Sequence, residues 1–391
     1  MIPEELIKET NLRVQKVQDA MKASSIDGVL LSSNVNLLYI FGSIYVGAAF
    51  IPCEGDVQFF IRRPNTYPSS NNIHYIRKIE DIVSMELIDT ANIKSIALEI
   101  DELPYSEVVR QYKLFPEVKM ENASSLMRLV RSIKTPREIE ILRATVARHM
   151  KMYRLIPSLY KSGMTDRELQ IEIERQMRLM GSVGVFRTFG PSMEIFMGSL
   201  IAGDNAEAPS PYDFAMGGEG SEALPLGSNN SPLKEGMAVM VDMAGNYSSY
   251  ISDMTRTFSI GKLSSECYRL HDLSRKMHAD IMMKSKPGTK CSDIYNVSMQ
   301  AVKDAGAEDK FMGTKQQAAF VGHGLGLQIN EMPVLTSRSK DILIPGMVIA
   351  YEPKFVIPHI GAVGVENTYL VTENGVEKLT GLEEDIIDLT L

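Results

Sequence analysis

Apolar and polar positions alternate in blocks along the chain, and the block lengths give two textures. In the first, LRVQKVQDAMKASS spaces its apolar residues at helical intervals, and IDGVLLSS follows as an apolar run of strand length. YIFGSIYVGAAFIPCEG and DVQFFIRRP read as a strand pair, SIALEIDELP as a further strand and SEVVRQYKLF as a helix. Helices and strands taking turns predict an α/β layer architecture for this region. A second texture opens at LVRSIKTPREIEILRATVARHMKMYRLIPSL, where Thr135 and Pro136 make a helix start with Glu138 and Glu140 close behind. The domain boundary is expected near residue 130, dividing 1–130 from 131–391.

The second region carries a faint internal echo. Lys161-Ser162-Gly163 precedes a helix expected to run to Gly181, and Lys286-Pro287-Gly288 precedes one expected to run to Gly306. Each has a capped start, Thr165 with Glu168 and Ser292 with Asp293. The equal spacing points to two similar α/β halves. Beyond the echo lie apolar strands interrupted by acidic residues. AVMVDMAGNYSSYISDMTRTF reads as a hairpin about Tyr247 and Ser248, with Asp242 and Asp253 roughly opposite each other. GMVIAYEPKFVIP carries Glu352 at the end of a strand, VGVENTYLV embeds Glu366, and FVGHGLGLQINEMPVL sets His323 between glycines.

Taken singly, these residues have ordinary explanations. A strand glutamate usually faces solvent, and a histidine between glycines usually satisfies a turn or a core. Four carboxylates and an imidazole in apolar surroundings are a different matter. Like charges across a strand pair repel, and a buried carboxylate needs a positive partner. The same segments offer few: Arg256 near the first, Lys354 near the third, and none beside Glu366. A metal pair would supply the missing charge. Oxygen-rich ligation with one imidazole suits Mn, Co, Zn or Fe, and two such ions bridged by carboxylates form a hydrolytic centre.

Composition narrows the setting. Hydrophobic residues make up 44% of the chain and charged residues 23%, an ordinary globular balance. A net charge of -8 disfavours nucleic acid or an anionic membrane as partner. Three scattered cysteines with no paired spacing argue for a reducing compartment, no apolar run is long enough to span a bilayer, and MIPEELIKETNLRVQ reads as a charged helix start rather than a signal peptide. A cytoplasmic protein is expected. The 24 methionines are scattered and read as core filling. The glycines around His323 lack the following Lys-Ser/Thr of a phosphate loop.

VDMAGNYSSYISDMTRTF, GHGLGLQINEMP, YEPKF and GVENTYLVTENG resemble the metal-binding motifs of the M24 or "pita-bread" family, which includes Xaa-Pro aminopeptidases, prolidases, methionine aminopeptidases and creatinases. The resemblance covers nearly the whole chain. It implies an α/β (α+β) fold with a creatinase-like N-terminal domain over 1–130 and a pita-bread metallopeptidase domain of pseudo-twofold halves over 131–391. It also implies a dinuclear-metal hydrolase, an Xaa-Pro-type aminopeptidase or dipeptidase using a metal-bridging hydroxide. Carried over residue by residue, Asp242 would bind one ion, Asp253 and Glu366 would bridge two, His323 and Glu352 would complete the second ion's ligands, Glu352 would accept the proton, and Thr255 would support Asp253. Two divalent ions, manganese favoured, a peptide or small-molecule substrate and a homodimer are the corresponding expectations. Three positions depart from the peptidase pattern: Asn330 and Leu226 stand where histidines are usual, and Gly364 where an arginine is usual. They keep open an alternative, a non-peptide substrate handled by a creatinase-like hydrolase or lyase. The polar segment 203–232, directly before the first aspartate strand, is a surface loop that could also serve as a lid.

Overall fold

The computed structural model describes residues 4–68, 70–89, 92–190, 195–212 and 216–391. The chain forms two compact units, Met1–Arg131 and Ser132–Leu391.

The first unit holds a six-stranded mixed sheet. Its strands are β1 (Gly28–Leu31), β2 (Val46–Pro52), β3 (Gln58–Arg63), β4 (Ile73–Tyr75), β5 (Ser95–Leu98) and β6 (Lys119–Asn122), in the order β4-β3-β2-β1-β5-β6. Val29, Leu30 and Leu31 are buried in succession, as expected of a central strand covered on both faces. The start of the expected strand YIFGSIYVGAAFIPCEG is the end of a helix. Asn34–Phe41 is capped by the Ser33 side chain, which accepts from the Asn36 N–H, and ends at Gly42 with φ +81°. A local cap at each end thus overrides the β-like apolar run.

The second unit has two sheets and a ribbon. One sheet contains β7 (Gly198–Ala202), β8 (Ala238–Gly245) and β9 (Ser252–Ser259). The other contains β10 (Gly322–Gly324), β11 (Glu331–Val334), β12 (Val348–Tyr351), β15 (Asn367–Thr372) and β16 (Gly375–Lys378). The ribbon is β13 (Lys354–Ile357) with β14 (Gly361–Gly364), and β17 (Ile387–Asp388) completes the first sheet as β17-β9-β8-β7. The echo in the sequence has a structural counterpart. The helix Asp166–Leu179 follows a bridge between Thr165 and Pro232, and the helix Cys291–Asp304 follows one between Lys290 and Ile342. Gly236 and Gly346, at φ +85° and +90°, make the turns that launch β8 and β12. Each half has its own core: Leu169, Ile173, Met177, Val239, Val241 and Phe258 in one, and Leu270, Ile294, Val302, Ile349, Phe355 and Tyr369 in the other.

Thr135 and Thr165 both form full capping boxes, with Glu138 and Glu168. The expected Ser292 cap does not form. That helix begins at Cys291, and Lys290 at its N-cap makes no side-chain cap bond. Of segment 203–232, residues 213–215 lie outside the described residues. The remainder is stitched down: the Asn205 amide donates to Gly227 O at 2.9 Å and accepts from Glu219 N at 2.8 Å.

Candidate metal centre

The five residues expected to act together do converge, although by a different register than the sequence suggests. The β8–β9 ladder runs from Ala238↔Ser259 to Gly245↔Ser252, which centres the turn between Ser248 and Ser249. Asp242 therefore faces Thr255, and Asp253 faces Ala244. The two aspartates are diagonal neighbours rather than opposite each other. A shift of two residues keeps both on one face, because side chains alternate with period two.

His323 comes from β10, at a bulge in its pairing with β11. Its Nδ1 lies 3.1 Å from Gly324 O and donates to it. This orients the ring and leaves Nε2 pointing at carboxylates, 3.4 Å from Glu352 Oε1 and 3.8 Å from Asp253 Oδ2. Glu352 follows β12, where its backbone N–H bonds to Val321 O at 3.0 Å. Glu366 sits between β14 and β15, its N–H on Thr255 O at 3.2 Å. The Thr255 hydroxyl donates to Glu366 Oε2 at 2.6 Å, so its partner is Glu366 rather than the expected Asp253.

Behind these groups lies Arg256. Its guanidinium donates to Thr255 O and Glu366 O, both at 2.8 Å, to Asn367 Oδ1 at 2.9 Å, and to Glu383 O at 2.8 Å. One buried fork thus ties β9, the Glu366 turn and the segment around 383 together.

The expectation that no cation stands beside Glu366 is overturned. Lys354 is fully buried, and its Nζ lies 2.7 Å from Asp242 Oδ2, 2.8 Å from Glu352 Oε2 and 3.0 Å from Glu366 Oε2. Sequence held one signal for it: Lys354 is two residues beyond Glu352, the spacing at which extended chain returns a side chain to the same face.

The charges respond accordingly. Burial opposes the charged form of Lys354, but Asp242, Glu352 and Glu366 outweigh it and hold its pKa well above the ordinary value. Burial likewise works against ionised Glu352, yet Lys354 and His323 bring its carboxyl down to about 2. Burial, reinforced by Asp242, pushes Asp253 up to about 7. His323 rises to about 9, because Glu352, Asp253 and Glu366 outweigh the effect of burial. Burial, with Asp253 beside it, holds the Glu366 carboxyl well above the ordinary range, so protons on carboxylates offset part of the cluster's negative charge, and a bound cation would take their place.

The donor set fits one divalent ion. Oxygens of Asp253 and Glu366 and a ring nitrogen of His323 lie within 4.8 Å of one another, and the Nδ1 contact with Gly324 O holds the ring so that Nε2 faces them. Oxygens of Asp242, Glu352 and Glu366 also lie within 4.8 Å of one another, but the Lys354 nitrogen is in hydrogen-bonding contact with all three, so an ammonium already stands among them.

The three departing positions differ in their surroundings. The Asn330 amide is engaged with Phe189, accepting from its N–H at 2.6 Å and donating to its carbonyl at 2.9 Å. Leu226 lies in the 203–232 segment with its N–H on Leu224 O. Gly364 pairs with Lys354 across the ribbon. A Cβ there would lie 2.6 Å from Pro353 O and 2.9 Å from Lys354 Cα, at φ +143°.

Comparison with known proteins agrees with this geometry. The pattern of metallopeptidase family M24 matches residues 140–373, and that of the creatinase/prolidase N-terminal domain matches 13–133. An Xaa-Pro dipeptidase of Pyrococcus furiosus is 25% identical over 382 residues, covering 96% of this chain and 99% of its own. An uncharacterized peptidase of Staphylococcus epidermidis is 28% identical over 296 residues, 74% of this chain and 75% of its own. Among solved structures, an Xaa-Pro dipeptidase from Bacillus anthracis superposes with a TM-score of 0.79 at 22% identity, covering 97% of this chain and 99% of that one. The prolidase of Pyrococcus horikoshii gives 0.76 at 23%, covering 96% and 99%. At that identity the superpositions speak for the fold alone. A pattern match over more than half the chain, on the same strands that gather Asp242, Asp253, His323, Glu352 and Glu366, places this protein in metallopeptidase family M24, with a creatinase/prolidase-type N-terminal domain.

Proposed function

We propose that this chain is a metal-dependent hydrolase of Xaa-Pro peptides, with one divalent ion held by Asp253, His323, Glu352 and Glu366. Manganese is favoured over cobalt, zinc or iron. The observation that carries the reading is the convergence of an imidazole nitrogen, its ring oriented by Gly324 O, on carboxylates from separate parts of the fold. The substrate class rests on relatives matched over nearly their whole length and named Xaa-Pro dipeptidases.

A divalent ion bound there supplies Lewis-acid activation of water and of a substrate carbonyl. The chain's own groups do the rest. Glu352 is the proton acceptor, poised between His323 at Oε1 and Lys354 at Oε2. Thr255 fixes Glu366 through Oε2. Asp242, at 24% side-chain exposure the most open of the four carboxylates, marks the side from which substrate arrives.

A second reading, a non-peptide substrate handled by a creatinase-like hydrolase or lyase, is favoured by Leu226, Asn330 and Gly364. Leu226 and Gly364 have no polar side-chain group, and the Asn330 amide is bonded to Phe189, so none of them relays a proton to a leaving amine.

The domain division near residue 130, a homodimer and a cytoplasmic setting belong to the same proposal. No helix among the described residues is long and apolar enough to cross a membrane. Exposed Leu179, Val183 and Val185 offer apolar area for a subunit contact.

The test is hydrolysis of a panel of Xaa-Pro dipeptides after chelation and re-addition of Mn²⁺, with Asp253→Asn beside the wild type. Metal-dependent cleavage that Asp253→Asn loses together with its bound metal is expected. Metal uptake without cleavage of any Xaa-Pro peptide would favour the second reading, and the absence of metal uptake would reject the metal-dependent one.

A further inference from the structure

We propose that Lys354 is a built-in cation occupying the place of a second metal ion, so that this centre exchanges one ion rather than two. The inference rests on reading the acidic cluster as a metal centre and concerns what this chain has done to half of it.

An ammonium has three donors and no acceptor. Lys354 spends all three on carboxylates from three different parts of the fold: Asp242 in β8, Glu352 after β12 and Glu366 before β15. The separations of 2.7–3.0 Å match charge-assisted N–H···O bonds. They exceed by about 0.7 Å the roughly 2.0–2.2 Å at which a divalent ion such as zinc holds carboxylate oxygens. The oxygens are therefore spread for a nitrogen. Glu366 Oε2 also receives the Thr255 hydroxyl, so this oxygen already accepts two hydrogen bonds and is not free to bridge. Glu352 divides its oxygens between the two positions, Oε2 on Lys354 and Oε1 toward His323. The remaining group, Asp253, His323 and Glu366 with Glu352 Oε1 beside them, is left for one ion.

Gly364 makes the arrangement possible. It is the cross-strand partner of Lys354 in the β13–β14 ribbon, and any Cβ on it would strike Pro353 O and the Lys354 backbone. The ribbon is closed so tightly that residue 364 carries no side chain while residue 354 sends a long one into the centre. The glycine and the lysine form one structural unit.

The experiment counts bound Mn²⁺ by equilibrium dialysis and elemental analysis, after removal of metal with EDTA, in the wild type and in Lys354→Ala. One ion per chain in the wild type and two in the variant are expected. Equal counts in the two proteins would overturn the assignment of Lys354. A wild type that takes none and a variant that takes one would instead sink the one-ion reading of the proposed function while leaving the Lys354 assignment standing. Electron paramagnetic resonance of the Mn²⁺-loaded wild type needs no variant to fold. Isolated-ion lines support the inference, and an exchange-coupled manganese pair refutes it.

Discussion

Replacing Lys354 by methionine removes one positive charge while keeping the length and the apolar stem, so packing changes little. What it removes is the shared partner of three carboxylates. Hydrogen bonds to charged groups are worth roughly 1.5–3 kcal/mol each, and taking away one member of a buried ion pair costs about 3–5 kcal/mol. Asp242 keeps 24% of its side chain in water and can rehydrate, whereas Glu352 and Glu366 are 5% and 1% exposed and cannot. The two enclosed carboxylates set the loss, at about 4–5 kcal/mol. For a unit of this size each kcal/mol moves the melting temperature by roughly 2–4 °C, so Lys354→Met should melt about 8–20 °C lower at neutral pH in EDTA. Adding Mn²⁺ at about 100 times its dissociation constant should return roughly 2.7 kcal/mol, because the variant can bind the ion where the ammonium was. Thermal unfolding followed by circular dichroism reads both effects. Lys8→Met, at an exposed pair with Glu4, should shift stability by no more than about 0.5 kcal/mol. A loss of less than about 1 kcal/mol in Lys354→Met would show that the ammonium is not the partner these carboxylates depend on.

Three further outcomes follow from groups around the centre. Burial lowers the pKa of His278 to about 4 and that of His149 to about 3, from a value of 6.5 outside the fold. As pH falls below 6.5 the unfolded chain takes up protons that the native one refuses, so stability should drop by about 1.4 kcal/mol per pH unit for each. His278→Gln should flatten that slope between pH 6 and about 4, and denaturant titrations with the wild-type slope in the variant would contradict the assignment. Asn330→Ala breaks both bonds to Phe189 and should cost about 1–3 kcal/mol, with faster hydrogen exchange at the Phe189 amide; unchanged exchange would count against the clamp. For ordinary Xaa-Pro dipeptides kcat/KM should stay below about 10⁵ M⁻¹s⁻¹, in the lower part of the enzyme range, and values above that would show that Asn330, Leu226 and Gly364 leave peptide cleavage unimpaired.

Much of the site is legible from burial and charge alone. Asp242, Asp253, Glu352 and Glu366 stand out because carboxylates in apolar strands require a partner, and His323 because it sits in the same company. What the residues could not show is distance. Lys354 lies two residues from Glu352 in the sequence, but its reach to Asp242 and Glu366 depends on how the β13–β14 ribbon is folded against β8, a tertiary fact. The hairpin register slips for a similar reason. Tyr247 and Ser248 read as well as Ser248 and Ser249 for a turn centre, and the pairing is decided along the whole ladder from Ala238 to Ser259. The helix Asn34–Phe41 escapes because its apolar residues also suit a strand, and only Ser33 and Gly42 at its ends mark it. Thr255 is expected beside Asp253, yet its hydroxyl crosses to Glu366, a choice that side-chain alternation does not predict.

Arg256 sets the order in which the site can be completed. Its guanidinium is satisfied jointly by β9, by the backbone of Glu366 and Asn367's side chain, and by carbonyls of Leu382 and Glu383. During synthesis the 382–383 segment leaves the ribosome after every strand that carries a ligand. Until it docks, a guanidinium destined for burial lacks part of its cage and the Glu366 turn lacks its brace. The final assembly of the acidic cluster is therefore a late event in biogenesis, set by the arrival of two main-chain oxygens that take no part in the chemistry.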